Sequence, residues 1–246
     1  MVEPIPDAPA ATVETAGQRL LVVGDYHAGL EVALRREGVE LRSAADERRE
    51  RLLALVREHR PDRVVALGDV GNAIGTPSEA EREELAALFD AVTAIAPLVV
   101  VKGNHDGDIE TVAAEVDGVT VTDGAGTRIG RVGFAHGHTW PAESVLAGET
   151  LCVAHEHPQV RLEDAVGGGR TERAWLRGGL NPAPFDAQSL AVEATELIVF
   201  PAFNDRVGGT WVNENDEFLT PFLPSALTAG EAYLFDGTRL GQYDRL

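Results

Sequence analysis

Cysteine, lysine and long apolar runs are scarce or missing in this chain of 246 residues, and each shortage excludes something. With Cys152 as its single thiol the chain forms no internal disulfide. The flanking Leu151 and Val153 mark that thiol as buried and structural rather than reactive. A reducing compartment, the cytoplasm, is therefore expected. No segment reaches the ~18 uninterrupted apolar residues of a spanning helix. The nearest approach, Ala91 to Val101, is broken by Thr93 and Pro97, so neither a membrane span nor a membrane partner is expected. Residues 1–17 are acidic and rich in Ala and Pro, with neither the basic head nor the apolar middle of a secretory signal. They read as a disordered acidic tail ahead of one domain over residues 18–246.

Lys102 is the only lysine among 21 basic residues, which face 40 acidic ones for a net charge of -19. Such a surface suits molar salt, where the Debye length falls to ~3 Å and an acidic shell repels itself little. At ordinary ionic strength the same charge argues against a nucleic-acid partner, because that binding draws on phosphate neutralisation by Lys and Arg. In a saline habitat the objection weakens.

The first half alternates β-branched runs with amphipathic stretches. Strands are predicted at Arg19 to Gly24, Arg63 to Leu67 and Leu98 to Lys102. Helices are predicted at Asp46 to His59, stopped by Pro61, and at Ser78 to Ile95, where Ser78 and Glu81 have the spacing of a capping box. Beyond residue 117 short runs punctuated by glycine suggest hairpin-type strands, with Gly167 to Gly169 at one tip. The pattern predicts an α/β (α+β) fold of four layers, with two mixed β-sheets packed as a sandwich and helices outside.

Six of the seven histidines fall in clusters, each just after a predicted strand: Asp25-Tyr26-His27, Gly103-Asn104-His105-Asp106, His136-Gly137-His138 and His155-Glu156-His157, with Gly68-Asp69 as a fifth strand-end cluster. Sites in open α/β sheets form outside the carboxyl ends of strands, so five such clusters can converge on one crevice. Carboxylate, imidazole and amide donors without cysteine suit Mn²⁺, Fe²⁺, Co²⁺ or Zn²⁺. In an extended segment residues i and i+2 share a face, which would pair Asp25 with His27 and His155 with His157. Seven ligating side chains exceed the needs of one ion. Two ions ~3.5–4 Å apart would use them and would serve in-line attack at phosphorus.

In order and spacing, D-x-H, GD, GNHD, HGH and HxH resemble the calcineurin-like metallophosphoesterase superfamily. ALRREGVEL, HEHPQVRL and LIVFPAFNDRVGG further resemble the ICC-like phosphoesterase group, which includes ligase-associated DNA-damage-response endonucleases; with the acidic surface, a haloarchaeal member is implied. The resemblance implies that Asp25, His27 and His157 hold a first metal, that Asn104, His136 and His155 hold a second, and that Asp69 bridges the two. It implies Mn²⁺ above Fe²⁺, Co²⁺ or Zn²⁺, a hydroxide nucleophile, His105 as general acid, a phosphoester substrate of nucleic-acid or nucleotide type, and DNA-repair proteins as partners by group analogy.

Either Asp106 or a later residue is expected to orient His105, because the GDxxDRG segment of Ser/Thr protein phosphatases is replaced here by Gly68-Asp69-Val70-Gly71-Asn72-Ala73. Protein phosphatase activity is disfavoured for the same reason. His138, Arg35, Arg36 and Arg206 are candidates for substrate contact, and so is Lys102 beside the GNHD turn. Trp140 is expected in the core, with a pocket wall or a base-stacking face as the alternative, and Trp175 and Trp211 as packing residues on strands. Two other readings compete: a non-catalytic scaffold that keeps the fold, and a small-nucleotide phosphodiesterase unrelated to DNA.

Overall fold

The structure is a computed structural model that describes residues 1–163, 167–215 and 217–246. Its first half builds a sheet from β1 (Val2–Pro4), β2 (Ala10–Thr15), β3 (Gln18–Val23), β4 (Arg63–Ala66), β5 (Leu98–Val101) and β6 (Val119–Thr122), side by side in chain order. Strands β1 to β3 form an antiparallel meander, and β3 to β6 run parallel. Strands β3 to β5 read as nearly unbroken apolar text because both faces of the sheet are covered there, whereas the edge strand β6 alternates Val and Thr.

Between them run α1 (Leu30–Arg36) and α2 (Ala45–His59), then α3 (Glu79–Thr93), then α4 (Ile109–Ala113). Helix α2 buries Leu52, Leu53 and Val56, and α3 buries Leu85, Leu88, Phe89 and Val92, in one core with Leu21, Val23, Val64 and Val100 of the sheet. Ser78 stands at the N-terminus of α3, but its side chain makes no capping bond there among the described residues. The expected capping box is absent because the buried Glu81 carboxylate accepts the N–H groups of Asn72 and Ala73 instead, at 2.7 and 2.9 Å.

The second half supplies β7 (Thr127–Ile129), β8 (Val132–Phe134) and β9 (Thr150–Val153), a separate hairpin of β10 (Gln159–Glu163) and β11 (Gly169–Arg173), then β12 (Trp175–Leu180), β13 (Glu196–Val199), β14 (Leu227–Tyr233) and β15 (Arg239–Gln242). The second sheet has the order 15-14-12-13-9-8-7. Not all of it is hairpins: β8, β9 and β13 are mutually parallel. Short α5 (Glu143–Leu146) precedes β9, and α6 (Ala183–Asp186) precedes β13. Their buried Val145, Leu146 and Phe185 join the core cluster of this half. Gly169 is the first paired residue of β11 rather than part of the tip expected over Gly167 to Gly169, and residues 164–166 lie outside the described residues.

The two sheets share a third core, in which Val22, Val65, Leu67 and Val101 join Phe134, Cys152, Trp175 and Phe200. Cys152 is fully buried there, and burial pushes its thiol pKa up, consistent with a structural role. Trp140 stacks edge-on against Phe185, as a core residue should. The reading of residues 1–17 as a disordered tail is corrected. Residues 2–4 and 10–15 are paired strands, with Val2, Ala11 and Val13 buried in the core between the sheets. Charged neighbours and small side chains hide that alternation in the text. Among the described residues no helix is long and apolar enough to cross a membrane.

Candidate metal centre

All five clusters lie just past the carboxyl ends of parallel strands: Asp25 and His27 after β3, Asp69 after β4, Asn104 after β5, His136 after β8, and His155 and His157 after β9. The turns after β3 and β4 lie against each other, with Asp25 N–H donating to Gly68 O (3.1 Å) and His27 N–H to Asp69 O (2.8 Å). Residues past β13, absent from the sequence reading of the site, pin the same turn: Phe203 N–H donates to Gly24 O, Asn204 N–H to Asp25 O, and Asn204 Nδ2 to Tyr26 O. The advance signals were the place of Asn204 at the end of an apolar run and the LIVFPAFNDRVGG segment that contains it.

Of the expected i, i+2 pairs, Asp25 and His27 share a donor group whereas His155 and His157 divide between two, and neither pair stands on extended backbone. Asp25 (φ 56°), His27 (51°), Asp69 (47°), His155 (68°) and His157 (45°) all occupy the left-handed region, at a cost of roughly 1–2 kcal/mol each. Strain of this kind gathers at functional sites. The residue between each pair still turns away from its neighbours. Tyr26 stacks on Phe203, and the Arg48 guanidinium lies over its ring at 5.1 Å. Glu156 is fully buried and accepts Thr210 Oγ1–H (2.5 Å) and the N–H groups of Leu219 and Thr220 (3.0 Å each).

Glu156 thus ties Thr210, Leu219 and Thr220 to the HxH turn, a role the sequence reading missed. Glu156→Ala strands those donors and is expected to cost about 3 kcal/mol. In a chain of this length that lowers the melting temperature by roughly 6–12 °C, which calorimetry of the metal-free protein would measure.

Two groups of donor atoms converge within the crevice. Asp25, His27 and His157 form one and Asp69, His136 and His155 the other, each with its ligating atoms within 4.8 Å of one another. Asp69 links them, since its Oδ2 lies 3.3 Å from His136 Nε2 and 3.9 Å from His27 Nε2. Asn104 Oδ1 is 3.2 Å from His136 Nε2. The structure therefore brings together all seven residues read as metal ligands. Close approach of backbone makes this possible: a Cβ on Gly68, which has φ +76°, would lie 2.5 Å from His136 Nδ1, and one on Gly103 would overlap the Asp69 carboxylate.

The donors fit a pair of cations. Leu67 O accepts from His136 Nδ1 (2.7 Å) and Gly208 O from His157 Nδ1 (2.8 Å), which fixes both tautomers and turns the Nε2 lone pairs inward. His27 Nε2 faces His157 Nε2 at 3.5 Å, and the buried Asp25 Oδ2 has no hydrogen-bond partner among the described residues. Burial pushes the His27 and His155 imidazoles down to about 4, leaving neutral donors at neutral pH. Burial also opposes charge on His136, but Asp69 and Asp25 outweigh it and raise that imidazole to about 9. Burial likewise resists ionisation of Asp25 and Asp69, yet His157 and His136 hold both carboxyls below their ordinary range. The carboxylates draw protons onto imidazoles where a cation would serve them better.

His105 stands 5.5 Å, ring to ring, from His27, and its backbone N–H donates to Asp69 Oδ1 at 2.8 Å. Asp106 does not orient it, contrary to expectation. The Asp106 carboxylate is buried and accepts the N–H groups of Gly71 and Gly103, both at 2.8 Å, so it is spent on holding two turns together. The contact to His105 Nδ1 comes from the carbonyl of Asn72 at 2.8 Å, on the turn that Glu81 fastens. A main-chain atom leaves no mark in a sequence.

Of the residues read as substrate contacts, His138 lies beside the site, its ring 5.3 Å from His136 and 6.1 Å from His155. Its buried Nδ1 has no partner among the described residues. Arg206 is turned onto Glu31 Oε1 (3.1 Å) and Arg42 O (2.6 Å). Arg35 donates to Glu31 O in its own helix, Arg36 is exposed at the end of α1, and Lys102 is paired with Glu110 at 2.5 Å. The arginines expected at the phosphate are thus held elsewhere or stand on an open helix face.

A two-sheet sandwich whose parallel strand ends converge on two linked donor groups defines a metal-dependent phosphoesterase. The model of the calcineurin-like phosphoesterase family matches residues 18–191, and the chain belongs to that family. The nuclease MPE of Pseudomonas putida is similar in structure, with 18% identity and a TM-score of 0.54 over 94% of this chain and 100% of that one. The E. coli phosphoesterase Yfce matches at 18% identity and a TM-score of 0.37, over 59% of this chain and 74% of that one. A comparison with curated proteins finds no match.

Proposed function

We propose that this metal-dependent hydrolase is a phosphodiesterase of the ICC-like group that acts on nucleic acid or nucleotides with two divalent cations, Mn²⁺ first among them. The observation that carries the reading is Asp69 Oδ2 set between a histidine of each donor group. Asp25, His27 and His157 would hold one cation and Asn104, His136 and His155 the other, with Asp69 shared. Bound there, the cations supply positive charge against phosphoryl oxygens and lower the pKa of water.

His105 then has the work of a general acid. Its Nδ1–H donates to Asn72 O, which orients the ring and leaves Nε2 to protonate the departing oxygen. His138, at the edge of the second group, is suited to face the substrate. The diester preference is supported by the missing phosphatase Asp and Arg, and the nucleic-acid class by the ICC-like resemblance, which agrees with the nuclease among the structural neighbours. The same resemblance would set the protein beside DNA-repair proteins, and the lone buried thiol suits a reducing cytoplasm.

The test is hydrolysis of bis(p-nitrophenyl) phosphate against p-nitrophenyl phosphate at high salt. Faster turnover of the diester is expected, abolished by a chelator and restored by Mn²⁺. A folded, metal-loaded sample that turns over neither ester is a scaffold, and the proposal fails. Cyclic nucleotides, dinucleotides, single-stranded DNA and duplex DNA compared under the same conditions separate a small-nucleotide enzyme from one that takes polymers.

A further inference from the structure

Large apolar side chains stand exposed on the segments that hold the metal centre. Ile74 is 74% exposed two residues past Asn72, whose carbonyl holds His105. Leu219 is 62% exposed, and its N–H is bonded to Glu156 between the two HxH histidines. Trp211 is 39% exposed and does not lie in a strand, contrary to its reading as a packing residue.

The position of Trp211 relative to the site is fixed by backbone contacts. Gly208 O accepts from His157 Nδ1 at 2.8 Å, Thr210 N–H donates to Glu156 O at 3.2 Å, and Gln159 N–H donates to Thr210 O at 2.9 Å. Trp211 makes a parallel bridge with Gln159, two residues past His157. The chain over residues 208–212 therefore runs alongside the chain over 156–159 and sets Trp211 beside Gln159. The Arg161 guanidinium lies 5.6 Å from the ring centroid. That arginine is itself balanced by Glu163 at 3.5 Å and Glu214 at 3.6 Å.

We propose that Trp211, backed by Arg161, is a stacking subsite for the nucleobase of a substrate whose phosphodiester sits at the metal centre; this rests on the phosphodiesterase reading above. Charge supports that occupant by elimination. The chain carries -19, and Lys102 and Arg206 beside the motifs are already paired with carboxylates, so little of the affinity for a nucleotide can come from cations at its phosphates. Stacking on an indole is tolerant of base identity and is not weakened by salt as phosphate neutralisation is. A guanidinium on the ring adds a cation–π contact and restrains the indole as a platform.

Two substrates with the same reacting phosphorus and leaving group separate the base from the chemistry: thymidine 5′-(p-nitrophenyl phosphate) and methyl p-nitrophenyl phosphate. Trp211→Ala is expected to raise KM for the thymidine ester about tenfold, with kcat, metal content and all constants for the methyl ester unchanged. Trp211→Phe, which keeps an aromatic face, restores most of the loss. Trp211→Leu, which keeps apolar bulk without one, behaves like Ala and controls for packing. An unchanged KM for the thymidine ester, or equal changes for both esters, overturns the subsite while leaving the phosphodiesterase reading standing. Wild-type protein that cleaves neither ester overturns that reading itself.

Discussion

Asp69→Ala is expected to abolish turnover, by about 10³-fold or more, and to strip the protein of bound metal. One oxygen of its carboxylate reaches a histidine of each donor group, with Oδ2 3.3 Å from His136 Nε2 and 3.9 Å from His27 Nε2. Two cations a few ångströms apart repel each other strongly, and a shared anion between them is what makes simultaneous occupancy favourable. Removing it therefore costs more than one ligand of one ion. Several kcal/mol of transition-state charge stabilisation goes with the cations, enough for the loss expected. Because Asp69 Oδ1 also accepts the His105 N–H at 2.8 Å, the alanine variant could lose activity by local misfolding.

Asp69→Asn separates the two causes. It keeps an oxygen for the His105 N–H and removes the charge. Elemental analysis of dialysed, Mn²⁺-loaded protein should find well under two ions per chain in both variants, and circular dichroism should find the asparagine variant folded. Two retained ions in the asparagine variant would remove Asp69 from the bridging position.

The donor set was legible because metal ligands must be particular side chains, and side chains are what a sequence records. Asp25, His27, Asp69, Asn104, His136, His155 and His157 announce themselves as polar clusters at the ends of apolar runs, and the fold gathers all seven. The scaffold around them was only half legible. Parallel strands buried on both faces gave themselves away by composition, whereas β1 and β2 are built from Ala, Val and Thr among carboxylates and pass for a solvated tail. What the text could not carry at all was the role of the main chain. The Asn72 carbonyl that orients His105 and the left-handed backbone at five of the ligand residues are consequences of tertiary contacts. Asp106 was misread for that reason: lying beside His105 in the chain, it was expected to serve the imidazole, when its carboxylate is needed by two buried amides.

His105→Ala is expected to divide the two functions of the site, lowering kcat by about 10²–10⁴-fold while leaving metal content near wild type. Its imidazole belongs to neither donor group, and its Nδ1 is occupied by the Asn72 carbonyl at 2.8 Å. The loss should therefore fall on proton delivery alone, and the leaving group reports on that directly. A p-nitrophenolate departs readily without a proton, whereas an alkoxide needs one. The variant should thus lose little on an aryl diester and much more on a diester with an alkyl leaving group, so that the two rate ratios diverge. Equal losses on both would make His105 a stabiliser of phosphoryl charge rather than a proton donor. Wild-type turnover on the alkyl diester would remove it from the chemistry, and the general acid would then have to be sought at His138, the remaining imidazole at the edge of the second group.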